Sequence, residues 1–80
     1  RSHEGYEVDL VLEGRAGQLV GIEVKATATP LSDDFKGLRR FANDVGKRFH
    51  RGFLFHTGER VTPAGANLWA LPISALWAWH

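Results

Sequence analysis

The sequence predicts an α/β domain in which a β-hairpin is followed by a helix and at least one further strand. Two segments near the start alternate between apolar and polar residues, which is typical of strands with one face on a core. A short turn with two glycines separates them, and apolar residues then recur at the spacing of an amphipathic helix. The length of 80 residues corresponds to a single domain over residues 1–80.

The predicted hairpin joins strands over residues 6–13 and 19–26 through a turn at 14–17. Side chains two residues apart share one face of a strand, so the alternation assigns each residue to a face. The face expected to lie on the core carries Val8, Leu10 and Leu12 in the first strand and Val20, Ile22, Val24 and Ala26 in the second. The opposite face of the second strand carries Gly21, Glu23 and Lys25.

The register of this hairpin decides which charged residues meet. A turn centred near Ala16 keeps both apolar sets on one face, whereas a slip of one residue sends one of them to the other side. This register places Asp9 opposite Glu23 and Glu7 opposite Lys25. Opposed side chains have Cβ atoms about 4.5–5.5 Å apart, so we expect two carboxylates close together and outside the core.

A helix is predicted over residues 33–49. Ser32 is expected to be its N-cap, and Asp33 and Asp34 suit the positive end of the helix dipole. The apolar residues at helical spacing are Phe35, Leu38, Phe41, Ala42, Val45 and Phe49.

Shorter elements are predicted in the rest of the chain. Residues 53–55 form an apolar run between glycines and predict a buried strand. Residues 57–67 contain two glycines and a proline and predict a loop, and residues 68–71 predict a last strand. Pro72 is expected to be the first residue of a helix that runs to Trp79.

The composition excludes several classes of protein. The chain has no cysteine, so it is not a disulfide-stabilised scaffold. No apolar run approaches the roughly 18–20 residues needed to span a bilayer, and the start lacks the apolar segment of a signal peptide. We therefore expect a cytoplasmic protein without a membrane partner. Because the chain starts without Met, directly before a strand pattern, it is expected to be a fragment of a longer protein.

Two opposed carboxylates need a compensating positive charge. Like charges across a hairpin destabilise it unless a cation lies between them. Mg²⁺ or Mn²⁺ suits such a position, because these hard cations bind carboxylates, a main-chain carbonyl and waters. Lys25 shares a face with Glu23, where an ammonium group can orient a water or stabilise negative charge that grows on a phosphate. These groups together predict hydrolysis of a phosphodiester.

The same residues resemble a known nuclease motif. Residues 7–9 (EVD) and 22–25 (IEVK) are similar to the D…(D/E)-x-K motif of the PD-(D/E)XK nuclease superfamily. More narrowly, the segments EVDLVLE, GIEVKAT, DFKGLRRF and LWALPISALW look like a prokaryotic domain of unknown function found C-terminal to an AAA-type ATPase module. The resemblance covers nearly all of the chain. It implies a restriction-endonuclease-like core, with the first core helix missing from this fragment and the ATPase module as a partner upstream.

The resemblance also implies roles for individual residues. Asp9 and Glu23 would bind Mg²⁺ or Mn²⁺ together with the main-chain carbonyl of Val24, and Lys25 would be the catalytic lysine. Glu7 would be an auxiliary acid, and the substrate would be DNA. The chain has no G-x-x-x-x-G-K-[ST] motif, so it has no ATP site of the P-loop type.

Plainer interpretations of the same residues stay open. Glu7 and Lys25 can form a simple ion pair across the strands, and the two opposed acids can be surface residues. The basic residues of the helix can form a solvated face, because aspartates interrupt them, or they can contact phosphates. The candidates for phosphate contacts are Lys36, Arg39 and Arg40. The histidines and tryptophans offer metal ligands or base-stacking surfaces as alternatives to core and interface positions, and these residues are His50, His56, Trp69, Trp77 and Trp79.

Two classes of function therefore remain. The first is a Mg²⁺-dependent DNA nuclease domain, which the intact triplet favours. The second is a non-catalytic interaction or regulatory module of the ATPase that keeps the fold, because a fold does not establish an activity. In both cases an uncovered sheet edge and the apolar tryptophans lead us to expect a homo-oligomer.

Overall fold

A computed structural model of the chain describes residues 8–78, which form a mixed five-stranded sheet with a helix packed against it. The strands are β1 (Leu10–Glu13), β2 (Leu19–Val24), β3 (Phe49–His56), β4 (Thr62–Pro63) and β5 (Leu68–Pro72). The helices are α1 (Lys36–Val45) and the short α2 (Ala75–Ala78). This confirms the predicted α/β class. Among the described residues, none of the helices is long and apolar enough to cross a membrane.

The strand order is β1-β2-β3-β5-β4. The three central strands β2, β3 and β5 are parallel, while β1 and β4 are antiparallel to their neighbours. The start of β1 and the ends of the three central strands therefore meet at one side of the sheet, which we call the C-terminal edge. In open α/β sheets, ligands bind at this kind of edge.

The register of the hairpin is confirmed. Leu10 pairs with Ile22 and Glu13 with Leu19. Both strands are shorter than predicted, since β1 begins at Leu10 and β2 ends at Val24. The predicted start of the first strand, residues 6–7, lies outside the described residues.

The prediction of which sheet face lies on the core is wrong for most of the hairpin. Helix α1 covers the face of β2 that carries Leu19, Gly21 and Glu23, whereas Val24 is 50% exposed and Leu12 is 49% exposed. Gly21 permits the close approach, because a Cβ there would lie 3.1 Å from Leu38 Cδ2. Both faces of the hairpin carry apolar residues, so the alternation alone could not select the face that the helix covers.

The core lies between the sheet and α1. Phe41 and Leu38 of the helix are fully buried and belong to the same buried cluster as Leu54 of β3. The other buried members of this cluster are Val8, Leu19, Phe35, Leu68 and Ala70. The prediction of a core position is therefore confirmed for Val8, whose burial fixes the segment that leads into β1.

The predicted helix is shorter at both ends. A 3₁₀ turn at Ser32–Phe35 precedes α1, and Leu31 rather than Ser32 holds the capping position, with its N–H donating to Asp34 Oδ2 at 2.8 Å. The helix ends at Val45 because Gly46 adopts a positive φ of 60°, and a second 3₁₀ turn follows. Phe49 fits the helical spacing of apolar residues but is the first residue of β3, where its ring contacts the ring of Phe41 edge-on.

The C-terminal third is close to the prediction, with three differences. The predicted strand at 53–55 is the second half of the longer β3, and the predicted loop contains the short β4. Pro72 ends β5 instead of starting a helix, and α2 begins at Ala75. Trp79, the predicted last helical residue, lies outside the described residues.

Candidate active site at the C-terminal edge of the sheet

Asp9 lies in a bend directly before β1. Extending the observed register by one residue places it across from Glu23, as the sequence predicts. Its Oδ2 accepts a hydrogen bond from the main-chain N–H of Val24 at 2.7 Å. The carboxylate thus satisfies a strand amide at the point where regular pairing stops. Asp9 is exposed, so the rest of its carboxylate faces solvent.

Glu23 is on the other strand of the hairpin and is only 5% exposed. The prediction that it lies outside the core is therefore wrong, and the cause is the position of α1 on this face. Burial of a carboxylate is costly unless a positive charge or hydrogen bonds compensate it. Lys25 supplies a positive charge, since its Nζ lies 3.6 Å from Glu23 Oε2.

Lys25 follows the last residue of β2 and remains tied to the sheet. Its main-chain N–H donates to the carbonyl of Phe55 at 2.9 Å, so the backbone of Lys25 is held beside β3. The Lys25 side chain is 36% exposed, whereas the Glu23 side chain beside it is almost fully buried. The predicted pairing partner, Glu7, lies outside the described residues. The structure therefore brings Lys25 to Glu23 and leaves its charge accessible from solvent.

The donor set of this site can be compared with the needs of Mg²⁺. Within residues 8–78, no group of three or more histidine, aspartate or glutamate side chains is arranged to hold a metal ion. Mg²⁺ in proteins is commonly bound by one or two carboxylates and retains several waters. Asp9 and Glu23, with the main-chain carbonyl of Val24, therefore match the kind and number of protein ligands that this cation uses.

A cleft of about 890 Å³ opens at the same edge of the sheet. Its walls are the loop after β2, the start of α1, the loop after β3, and β4. Phe35, His56 and Ala70 are buried residues that line it. The volume lies within the range of about 300–1,000 Å³ that is typical of small-molecule sites.

Arg39 joins two walls of this cleft. Its Nη1 donates to the carbonyl of Ser32 at 2.8 Å and to the Ser32 hydroxyl at 3.3 Å, and its Nη2 donates to the carbonyl of Ala64 at 3.4 Å. The guanidinium carbon lies 5.7 Å from the centre of the Phe35 ring. These contacts fix the position of the charge.

Lys36 and Arg40, the other two predicted phosphate contacts, lie beside carboxylates. Lys36 Nζ is 3.9 Å from Asp33, and Arg40 Nε is 4.0 Å from Asp44. Arg48 lies in the 3₁₀ turn after α1. Its Nη2 is 3.3 Å from Glu13 Oε2, and its Nε donates to the carbonyl of Gly17. Of the three predicted phosphate contacts, Lys36 and Arg40 are thus on the solvated face of α1, whereas Arg39 lines the cleft.

His56 shapes the loop after β3. The N–H of Gly58 donates to its Nδ1 at 3.0 Å, so Nδ1 is the unprotonated nitrogen and Nε2–H donates to the carbonyl of Arg60 at 2.9 Å. Both ring nitrogens are therefore engaged with the backbone, which disfavours His56 as a metal ligand. His50 is exposed in β3, Trp69 is half-buried in β5, and Trp77 is largely exposed.

Comparison with protein-family models gives a match over residues 1–76, to the model described as a domain of unknown function, DUF4143. The chain belongs to the DUF4143 family. The match confirms the part of the predicted resemblance that concerns a domain of unknown function. No curated protein and no solved structure matches this DUF4143 chain significantly.

The sequence named Arg39 and His56 as candidates but did not predict the contacts by which they shape the cleft of this DUF4143 domain. Arg39 lies seven positions after Ser32, or two helical turns, which is a weak local signal for a shared face. Its contact with Ala64 spans 25 positions and leaves no local signal. His56 bonds to residues within four positions, but it lies in an apolar strand pattern that predicts only burial.

We expect Gly58→Ala to destabilise the domain by about 1–3 kcal/mol, the cost of overpacking. A Cβ at Gly58 would lie 2.0 Å from the carbonyl oxygen of Ala28, so two stretches of backbone must separate. Gly14→Ala is the matched control, because the atoms nearest its Cβ belong to the flexible side chain of Gln18. That side chain accepts one exposed hydrogen bond from Ala16, so the change should cost less than about 1 kcal/mol. Urea unfolding of both variants measures the difference, and equal costs would contradict the close packing of the two loops.

Proposed function

We propose that this DUF4143 domain is a metal-dependent nuclease of the PD-(D/E)XK type that hydrolyses phosphodiester bonds of DNA with Mg²⁺ or Mn²⁺. The observation that carries the proposal is the grouping of two carboxylates and a lysine at one edge of the sheet. Asp9 bonds to the backbone of Val24, and Lys25 Nζ lies 3.6 Å from Glu23 Oε2. The order of hairpin, helix and parallel strand also supports a restriction-endonuclease-like core.

The chemistry follows from the environment of each group. Asp9 is held by one oxygen and is exposed, so it can bind a cation from the solvent side. Glu23 is buried, so the movement of its carboxylate is limited by the surrounding residues when charge develops nearby. Lys25 is partly exposed and can approach a phosphate, where its positive charge stabilises the additional negative charge of the transition state. A bound Mg²⁺ would polarise the phosphate and promote deprotonation of a water.

A second candidate function is a non-catalytic interaction module, for which an AAA-type ATPase module of the same protein is the partner suggested by the resemblance. The supporting observation is the sheet face opposite α1. Leu12 and Val24 on this face are about half exposed, and Phe53, Trp69 and Leu71 are only partly buried. Exposed apolar surface of this kind often marks an interaction site. The metal and cleavage experiments separate the two candidates.

We expect Mn²⁺ to bind the wild-type protein and Asp9→Asn to weaken the affinity by at least about tenfold, because the charge of one ligand is lost. The asparagine carbonyl can still accept the hydrogen bond from Val24, so the hairpin should remain folded. Asp33→Asn is the control, since it removes the same charge from an exposed position beside Lys36. Titration calorimetry measures all three affinities. Equal affinities in the two variants would remove the metal site from the proposal.

A further inference from the structure

The cleft and the proposed active site lie at the same edge of the sheet. The cleft begins at Ala28, three residues after Lys25, and three residues of extended chain span at most about 10–11 Å. The main-chain N–H of Thr57 donates to the carbonyl of Thr27 at 2.9 Å, so the loops after β2 and β3 stay together between the two sites. The backbone of Lys25 therefore lies within about 11 Å of Ala28, the first residue of the cleft lining.

Four nearby cations differ from Arg39 in having a carboxylate beside them. Lys25, Lys36, Arg40 and Arg48 each lie within 4.0 Å of a carboxylate oxygen. Within the described part of the chain, the contacts of Arg39 are to two carbonyls, a hydroxyl and an aromatic ring. These partners hold the guanidinium in place without neutralising it. Arg39 therefore presents a positioned positive charge to the cleft, where a phosphate can pair with it.

The rest of the cleft offers apolar surface and hydroxyl groups. The accessible apolar lining comes from Leu31, which is exposed, and from Pro30, Pro63 and Ala64, whereas Phe35 and Ala70 are almost fully buried. The hydroxyl groups are those of Thr29, Ser32, Thr57 and Thr62. Arg60 adds a second positive charge and Glu59 a negative one. A ligand that matches this lining has an anionic group, hydroxyl or ether oxygens, and a flat or apolar portion.

We infer that the cleft binds one nucleotide unit of a single-stranded nucleic acid, with a phosphate on Arg39 and the sugar and base against the apolar lining. The inference rests on the proposed nuclease function, which makes a nucleic acid the ligand to test, and it adds a site for an unpaired nucleotide beside the triplet. Proteins that bind single strands combine positive charge along the backbone with apolar or aromatic surfaces for the bases. A free nucleotide has the same chemistry, so the experiment includes both forms.

The test measures binding of a short fluorescent oligothymidylate and of thymidine 5′-monophosphate, in EDTA so that neither metal nor cleavage contributes. Arg39→Gln should weaken binding of the oligonucleotide by at least about tenfold, because a charge-assisted contact is lost. Arg40→Gln, the next residue on α1, removes the same charge outside the cleft lining and should stay within about twofold of wild type. The slope of log affinity against log salt should fall by about 0.7 in Arg39→Gln alone.

Because Arg39 joins two walls of the cleft, thermal unfolding of Arg39→Gln is measured alongside. If that variant does not fold, Arg60→Gln takes its place, and a loss of at least about threefold in oligonucleotide affinity is expected. Equal effects of Arg39→Gln and Arg40→Gln would overturn the site, as would the absence of binding to wild type. If only the mononucleotide binds, and its binding depends on Arg39, the inference that the cleft holds a single-stranded nucleic acid would be wrong. The ligand would then be a free nucleotide.

The result is separable from that of the nuclease proposal. If binding depends on Arg39 but the protein cuts no DNA with Mn²⁺, nucleotide binding in the cleft is supported and the nuclease proposal is contradicted. If Arg39→Gln cleaves single-stranded DNA with the KM of the wild type, the nuclease proposal is supported and nucleotide binding in the cleft is contradicted.

Discussion

Replacing Lys25 with methionine is expected to lower the rate of DNA cleavage by at least about a hundredfold, while the affinities for Mn²⁺ and DNA stay within about twofold of wild type. Lys25 Nζ lies 3.6 Å from Glu23 Oε2 and is partly exposed, so it can reach a phosphate without being a metal ligand. A positive charge in this position acts mainly on the transition state, where the phosphate gains negative charge. Its loss therefore affects the rate more than binding.

Lys36→Met is the matched control for this experiment. Lys36 also lies beside a carboxylate, at 3.9 Å from Asp33, but it is on the solvated face of α1. Its replacement should leave the cleavage rate within about twofold of wild type and change stability by less than about 1 kcal/mol. Both variants are assayed in the full-length protein with Mn²⁺, on supercoiled and on branched DNA, because a missing substrate can mimic inactivity.

The stability of Lys25→Met must be measured as well. This change removes a positive charge from the side of the buried Glu23 carboxylate, and the hairpin can lose stability for that reason alone. A variant that folds, binds Mn²⁺ and does not cleave DNA would support the catalytic role. Failure of the wild-type protein to cleave either DNA would contradict the nuclease proposal. The non-catalytic interaction module would then be the remaining candidate function.

Leu54→Ala is expected to destabilise the domain by about 3–5 kcal/mol. Leu54 has no exposed surface and belongs to the buried cluster between the sheet and α1. The change removes apolar contacts and leaves a cavity that the parallel strands on either side prevent from closing. In a domain of this size 1 kcal/mol corresponds to about 4–8 °C in Tm, so a drop of at least about 12 °C should be seen by calorimetry.

Leu12→Ala is the control, with the same chemical change on the other face of the sheet. The alternation of the sequence places Leu12 on the core, but the structure shows it to be 49% exposed. Its replacement should cost less than about 1 kcal/mol. A larger effect at Leu12 than at Leu54 would show that the helix covers the other face of the hairpin.

The sequence by itself determined the hairpin, its register and the approximate positions of the later elements. These features depend on local patterns: a period of two, glycines in a short turn, and apolar residues at helical spacing. The register follows because residues near the turn pair with each other at fixed offsets, and extending these offsets by one residue places Asp9 across from Glu23. The end of α1 was predicted wrongly at residue 49, although Gly46, after which the helix does not continue, is a local signal.

Only the tertiary structure decided which face of the hairpin α1 covers and which residues meet across the loops. Leu19 and Val20 are neighbours of similar apolar character, and the helix selects the face of Leu19 because Gly21 on that side permits its close approach. That choice buried Glu23 and left Lys25 beside it. The contact of Arg39 with Ala64 joins segments that no local pattern relates. Periodicity fixes the direction of a side chain relative to its own strand, whereas docking of distant segments decides what covers it.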